Sequence, residues 1–366
     1  MPKNETLEIQ NVLSTLGNKL GFISKIEERI HTNDTYAPIY DVVWYLDMEK
    51  YVDFSSLEPL FINSPELLEQ MKKLPFAGFE IEGSTTTSKN QIGNFANLHA
   101  GQFLFNFEIV NNAQAGNEND TYRRGLKVYH YCNRIFSECN DFFMDKSQLY
   151  ESIENLPENI NSDVVIGNCN FSDRGTYGGE KAESIKMFSE ILPMLRNSGL
   201  SIVQNKEPSI CKLQYYAMKQ AFSEAIGETG KHYISQNYYE DPVSCNVKKS
   251  AKTKDSLYVP KMDIEAGFTM PESFFKWLGV LGKAMKNDAV HYPLIFGITN
   301  KVIKEYFISL IAVEIENSIN KHLNGGICNM SHFAHTGILV TNQSAKGHIE
   351  FLKRELGILN ITYYQV

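Results

Sequence analysis

Strand-like and helical segments alternate through the first 150 residues, and this alternation limits the fold more than any other feature of the chain. Residues 6–20 have the apolar spacing of an amphipathic helix, and Gly21 is a natural stop for it. Further helices are expected at 64–73, around 90–100, and at 121–136. The segments between them must therefore supply any sheet.

Three of these intervening segments are rich in β-branched and aromatic residues, which is typical of strands: YDVVWYLDM, FAGFEIEG and FLFNFEIV. A fourth candidate strand is DFFMDKSQLY. The main elements run in the order helix, strand, strand, helix, strand, helix, strand. This order predicts an α/β fold with a central mixed sheet flanked by helices.

The length of 366 residues fits two domains. The Asn- and Glu-rich segment 154–163 is the predicted boundary, which divides the chain into 1–160 and 161–366. The second region is expected to be α/β or mainly helical. It includes a long predicted helix, KVIKEYFISLIAVEIENSINKHL, and strands at VVIGNC, HYPLIFGI and TGILVT. No internal repeat is evident in the sequence.

Composition limits the class of protein. The N-terminus lacks the basic-then-apolar pattern of a signal peptide, and no apolar run is long enough for a transmembrane helix. The six cysteines form no Cys-x-x-Cys pair, so we expect reduced thiols in a cytoplasmic protein. The net charge of -8 argues mildly against nucleic-acid binding. A carboxylate site neutralised by bound cations is compatible with that charge.

The strand FAGFEIEG places two carboxylates side by side, because Glu80 and Glu82 share one face while Ile81 points to the other. Two neighbouring acids on a mostly apolar strand repel each other and lose hydration. A divalent cation between them removes that penalty, and oxygen ligands suit Mg²⁺. Asp41 opens the preceding strand and is placed to reach the same cation. The alternative is a solvent-facing strand, on which acids need no ligand.

These residues resemble the PD-(D/E)xK nuclease superfamily, to which many type II restriction endonucleases belong. Asp41 matches the acid that opens one strand, and Glu80 matches the first acid of the acid-x-Lys motif on the next. Glu82 stands where lysine is usual, so Lys89 is a candidate replacement for that positive charge. Glu27 is placed like the further acid that some members carry on the first helix. The resemblance covers residues 5–150.

The resemblance implies a restriction-endonuclease-like catalytic domain in 1–160 and a DNA-recognition or dimerisation domain in 161–366. It implies a Mg²⁺-dependent endonuclease that hydrolyses phosphodiester bonds in double-stranded DNA, most simply a type II restriction endonuclease. The predicted catalytic residues are Asp41, Glu80, Glu82 and Lys89, and the predicted metal ligands are Asp41, Glu80, Glu82 and the carbonyl of Ile81.

No membrane partner is expected, and cutting both strands favours a homodimer. A basic helix carrying Arg123, Arg124, Lys127 and Arg134, and a basic stretch at 248–261, are candidate phosphate contacts. Two alternatives stay open. One is another nuclease of the same fold in repair, transposition or phage defence. The other is a non-enzymatic DNA-binding protein.

Overall fold

The computed structural model describes nine stretches of the chain: 4–30, 37–83, 86–111, 121–136, 141–164, 182–203, 262–285, 307–317 and 321–366. Two five-stranded mixed sheets lie within these residues, one in each part of the chain. We call residues 4–164 the first half and residues 182–366 the second half. The predicted α/β class is confirmed, with helices packed on both sheets. None of the described helices is long and apolar enough to cross a bilayer.

The first half has the predicted elements in their predicted order, with an additional strand at Ile23–Glu28 and an additional helix at Lys146–Glu154, because the predicted strand DFFMDKSQLY ends at Asp145. They are α1 (Asn4–Lys19), β1 (Ile23–Glu28), β2 (Tyr40–Asp47), α2 (Pro65–Lys72), β3 (Lys73–Glu82), α3 (Ser88–Ala100), β4 (Phe105–Val110), α4 (Thr121–Phe136), β5 (Asp141–Asp145) and α5 (Lys146–Glu154). Short 3₁₀ turns connect β2 to α2. Gly21, with φ of 93°, ends α1 as predicted. Strand β1 lies in a segment whose residue pattern predicts no particular element.

The first sheet has the strand order β1-β2-β3-β4-β5. The pairs β1/β2 and β2/β3 are antiparallel, whereas β3/β4 and β4/β5 are parallel. Aromatic rings from β2, β3 and β4 fill one face, where Phe79 and Phe107 stack with ring centroids 4.8 Å apart. The opposite face is covered by α3, and this is the face on which Glu80 and Glu82 lie.

The second half is α/β rather than mainly helical. Its elements are α6 (Ala182–Asn197), β6 (Ser201–Val203), β7 (Ile264–Thr269), α7 (Glu272–Ala284), β8 (Phe307–Glu316), α8 (Lys321–Phe333), β9 (Thr336–Thr341), α9 (Lys346–Leu356) and β10 (Ile361–Gln365). The strand predicted at TGILVT is confirmed as β9. The strands predicted at VVIGNC, beyond its first residue Val164, and at HYPLIFGI fall outside the described residues.

The long helix predicted over 301–323 is wrong, because residues 307–316 form β8. The segment FISLIAVEIE is apolar almost throughout, so its periodicity alone does not distinguish a buried strand from a buried helix. Its Ile and Val residues favour a strand. In the sheet, β8 is the central strand and pairs with both β7 and β9.

The two halves repeat one topology, which the sequence did not reveal. The second sheet has the order β10-β9-β8-β7-β6, with β6/β7 and β7/β8 antiparallel and β8/β9 and β9/β10 parallel. Helices α1 and α6 both have 16 residues, and each is followed two residues later by a glycine with positive φ, Gly21 and Gly199. The β2/β3 pair has a register shift after Trp44, and the β7/β8 pair has one at the equivalent residue, Ala266.

The halves also exchange contacts reciprocally. Helix α7 of the second half packs against the first, where Trp277 lies 5.3 Å from Trp44 between ring centroids. The Ser273 hydroxyl donates to the Leu20 carbonyl at the end of α1. In return, the Asp53 amide of the first half donates to the carbonyl of Ser198, the residue equivalent to Leu20. In both contacts the acceptor is the carbonyl of the residue that directly follows the 16-residue helix, Leu20 after α1 and Ser198 after α6.

Candidate metal centre

Asp41 is fixed at the start of β2 by contacts from two other elements. Its Oδ2 accepts the Ile81 backbone N–H of β3 at 2.7 Å, and its Oδ1 accepts the Gln10 side-chain amide of α1 at 2.8 Å. The side chain is half-buried, and burial raises the pKa of its carboxyl above the ordinary value. The helix and the two strands therefore hold this carboxylate in one place at the edge of the sheet.

Glu80 and Glu82 follow on β3, on the face covered by α3. Glu80 is 6% exposed, and burial and then the charge of Asp41 raise its carboxyl pKa well above the ordinary value. Glu82 is half-buried and accepts the Asn94 amide at 2.6 Å. The structure thus brings together Asp41, Glu80 and Glu82, which we call the first acidic site.

Glu108 lies beside the first acidic site, although the sequence analysis did not select it. It is on β4, in parallel register with Glu80, and is 0% exposed. Among the residues that the structure describes, neither of its carboxyl oxygens has a hydrogen-bond partner. Burial raises its pKa well above the ordinary value, and the charges of Glu82 and Glu80 add to that rise. An acid in the middle of the apolar strand FLFNFEIV was the signal that could have identified it.

Two other candidate residues are not part of this group, although the charge of Glu27 adds to the rise in the Asp41 pKa. Lys89 is in the first turn of α3 with an exposed side chain, and no ion pair found among the described residues joins it to the acids. Glu27 is not on the first helix but on β1, with φ of 52°. The residue of α1 that reaches Asp41 is Gln10, a neutral amide rather than an acid.

The donor set suits a hard divalent cation. All side-chain donors are carboxylate oxygens, which Mg²⁺ and Ca²⁺ prefer. Glu80 Oε1 and both Glu108 oxygens are buried without a hydrogen-bond partner, and such atoms are costly unless a cation or proton satisfies them. Within the described residues, no three acidic, histidine or cysteine side chains already converge as a metal-binding group. Cation binding here would therefore include rotation of the Glu80, Glu82 or Glu108 side chain.

The second half repeats the acidic residues at equivalent positions. Asp263 precedes β7, and its Oδ2 accepts the Ile315 backbone N–H of β8 at 2.8 Å, as Asp41 does from Ile81. Glu314 and Glu316 flank Ile315 and complete what we call the second acidic site, with Asp263. Burial raises the pKa of Asp263 above the ordinary value.

Most of the residues that are identical between the aligned strands belong to the two acidic sites. The pairing registers align β3 with β8, and the three identical pairs among those ten positions are Glu80/Glu314, Ile81/Ile315 and Glu82/Glu316. Between 41–47 and 263–269, the one identical pair is Asp41/Asp263. Apart from Ile81/Ile315, the apolar positions of both strands differ. Identity between these strands is therefore confined to the residues of the acidic sites and the isoleucine between the two glutamates.

The surroundings of the two sites differ in polarity. Glu108 corresponds in register to Leu339, which is also fully buried. By helix alignment, Gln10 corresponds to Phe188 and Asn94 to Ile327. The second half has a buried acid of its own, Glu265, where the first half has Val43. Glu265 follows Asp263 by two residues and is paired with Ala312 of β8.

Positive side chains border the first acidic site. Arg123 and Lys127 are exposed on α4, and the Arg124 guanidinium donates to the Thr86 carbonyl in the segment that follows β3. This contact places the start of α4 next to the end of the strand that bears Glu82. The side chain of Arg134 and the basic stretch 248–261 lie outside the described residues.

Comparison with known proteins adds no relative. No family model, no curated protein and no solved structure matches the chain.

Proposed function

We propose that the protein is a Mg²⁺-dependent endonuclease that hydrolyses phosphodiester bonds in double-stranded DNA, with a restriction-endonuclease-like arrangement in each half. A type II restriction endonuclease is the most specific form of this proposal. The observation that supports it is the retention of the same Asp and Glu-Ile-Glu residues at the same strand positions in both halves. Buried neighbouring acids destabilise a fold, so folding alone does not explain why they are the retained residues.

The proposed chemistry assigns a role to each residue of the first acidic site. Asp41, Glu80, Glu82 and the Ile81 carbonyl would hold Mg²⁺, which supplies Lewis-acid polarisation of the phosphate and acidification of a bound water. Gln10 and the Ile81 N–H keep the Asp41 carboxylate oriented.

A Glu82 oxygen then accepts a proton from the attacking water. As the water oxygen bonds to phosphorus, the bond to the leaving deoxyribose oxygen breaks, and that oxygen takes a proton from solvent water. Lys89 stays a candidate for electrostatic stabilisation of the phosphate, since a side chain of this length on the first turn of α3 is close in sequence to Glu82.

Duplex DNA is the proposed substrate because its two strands present two phosphodiesters to cut, and one chain has two acidic sites. Exposed Arg123 and Lys127 supply local positive charge for phosphates beside the first site, in spite of the net charge of -8. The homodimer stays a prediction of the sequence analysis. The internal repeat offers the two required sites within a single chain.

The deciding experiment is cleavage of supercoiled plasmid with and without Mg²⁺. We expect Mg²⁺-dependent cutting by the wild type and a loss of roughly 100-fold or more in the formation of linear DNA by Glu80→Gln, since a lost ligand removes several kcal/mol of transition-state stabilisation at the first site. Glu66→Gln is the matched control, because Glu66 is an exposed acid on α2. No cutting with any divalent cation, or wild-type cutting by a folded Glu80→Gln variant, would refute the proposal.

A further inference from the structure

We infer that Glu108 is a fourth carboxylate ligand for the divalent cation of the first acidic site. The inference rests on the proposed function and extends it, because neither the sequence motif nor the resemblance includes a ligand on the fourth strand. The ligands of this cation site would then come from three strands, β2, β3 and β4.

The first argument is placement. Glu108 and Glu80 are partners in the parallel β3/β4 register, so their side chains leave the sheet on the same face and next to each other. Phe79 and Phe107, which directly precede these two glutamates, lie on the opposite face of the sheet, where their rings stack. The charges of both Glu82 and Glu80 act on the Glu108 carboxyl. Glu108 therefore points at the first acidic site and not at the aromatic core.

The second argument is the lack of any structural partner. Both Glu108 oxygens are buried and accept no hydrogen bond from the described residues. The thiol of Cys132 is a neighbour, but no hydrogen bond joins it to this carboxyl. A buried carboxyl that forms no hydrogen bond costs several kcal/mol. A cation shared with Glu80 would satisfy these oxygens.

The third argument comes from the other half of the chain. Leu339 occupies the equivalent position on β9 and is fully buried under α8. The repeated fold thus accepts an apolar side chain of similar size at this point of the sheet. Packing does not require an acid here, so the acid in the first half needs another reason, and cation binding supplies one.

The test uses Glu108→Leu, which installs the residue of the second half, and Glu108→Gln, which keeps the shape without the charge. Both are made in a Glu314→Gln background, so that the second acidic site does not contribute. Mn²⁺ affinity is measured by titration calorimetry, and thermal melts are recorded with and without Mg²⁺. Glu80→Gln in the same background is the reference for loss of the site.

We expect both Glu108 variants to bind Mn²⁺ at least about tenfold more weakly, as for the loss of groups that support a metal site. The rise in melting temperature on adding Mg²⁺ should shrink in parallel. Without cation, Glu108→Leu should melt at or above the parent temperature, because a buried carboxyl is removed.

Two results would overturn the inference alone: Mn²⁺ affinity within twofold of the parent in Glu108→Gln, or a large loss of cation-free stability in both variants with unchanged Mn²⁺ affinity. In both cases Glu80→Gln would still lose Mn²⁺, and the proposed function would stand. If the parent protein binds no Mn²⁺ at millimolar concentration, the inference and the proposed function fail together.

Discussion

The two halves of the chain share a backbone plan and almost none of the residues that fill it. Strand order, strand direction and the position of the register shift agree between the sheets. The buried rings of the first sheet, among them Trp44 and Phe79, correspond to the much smaller Ala266 and Val313. Different sets of apolar side chains can therefore form the core of the same fold, provided that their pattern and total volume fit that fold. In these aligned strands, identity is confined to Asp41, Glu80, Ile81 and Glu82 and their equivalents.

The side chains next to the acidic residues also differ between the two halves. The carboxylates of the first acidic site are supported by polar side chains, Gln10 and Asn94, whereas the equivalent residues of the second half are apolar. Polar side chains that hydrogen-bond to metal ligands orient those ligands and strengthen cation binding. The apolar Phe188 and Ile327 cannot supply such hydrogen bonds. We therefore expect the second acidic site to be the slower of the two.

The largest expected effect tests whether both sites cut. With Glu314→Gln, cleavage of supercoiled plasmid should stop at nicked circles, because one strand is left to the disabled site. Glu80→Gln should give slower nicking through the second site. The double variant should lose cutting by roughly 100-fold or more relative to either single variant, since each lost ligand removes several kcal/mol of transition-state stabilisation. The measurement is the ratio of linear to nicked product over time.

One outcome would break the comparison. If Glu314→Gln produces linear DNA at the wild-type rate while Glu80→Gln produces neither nicked nor linear DNA, then the second site is not catalytic. Cutting of both strands would then require a second chain, and the homodimer would return as the better prediction. Sizing of the wild-type protein by light scattering in the same buffer separates these cases.

A smaller effect tests whether the halves fold as one unit. Trp277 belongs to the second half but is fully buried against the first, and its indole N–H donates to the Ser152 hydroxyl at 3.0 Å. Trp277→Ala should cost about 3–5 kcal/mol through the cavity it leaves. For a chain of this length we expect a fall of about 5 °C in melting temperature, in one transition.

Trp277→Phe is the control, because it keeps most of the ring contacts and removes the hydrogen bond to Ser152. It should cost roughly 1–2 kcal/mol. Two separate melting transitions in the wild type, with Trp277→Ala shifting the transition of the second half alone, would contradict the interlocked arrangement.

Much of the first half was predictable from sequence because its signals are local. The apolar spacing of 6–20, the glycine that ends α1 and the aromatic strands around Asp41 and Glu80 each act within a few residues. Glu108 was hidden because a single acid within an apolar strand is conspicuous only once the neighbouring strand is known. Gln10 was hidden for the same reason, since its contact with Asp41 spans 31 positions.

The second acidic site was missed because of one wrong assignment. Taking 301–323 as a helix puts Glu314 and Glu316 on different sides of that helix, whereas a strand puts them on one face. Because β8 was not predicted, no strand with Glu314 and Glu316 was expected beside Asp263. The repeat of Asp and Glu-Ile-Glu was therefore not recognised. The register that relates the two halves comes from pairing between distant strands, which no local window contains.

The smallest expected effect concerns the support of Asp41, and it tests directly why the halves differ. Gln10→Ala removes the amide that donates to Asp41 Oδ1 and leaves the Ile81 contact intact. We expect cutting at the first site to slow by about 10-fold and Mn²⁺ affinity to fall by a similar factor, the usual range for a residue that orients a metal ligand. The matched variant is Phe188→Leu at the equivalent position of α6, which should lower stability by about 1 kcal/mol and leave Mn²⁺ affinity unchanged. Both are measured in the Glu314→Gln background by nicking rate, calorimetric titration and thermal melts. Equal losses of Mn²⁺ affinity in Gln10→Ala and Phe188→Leu would mean that the helix acts by packing alone, and the polar support of Asp41 would not explain the difference between the two halves.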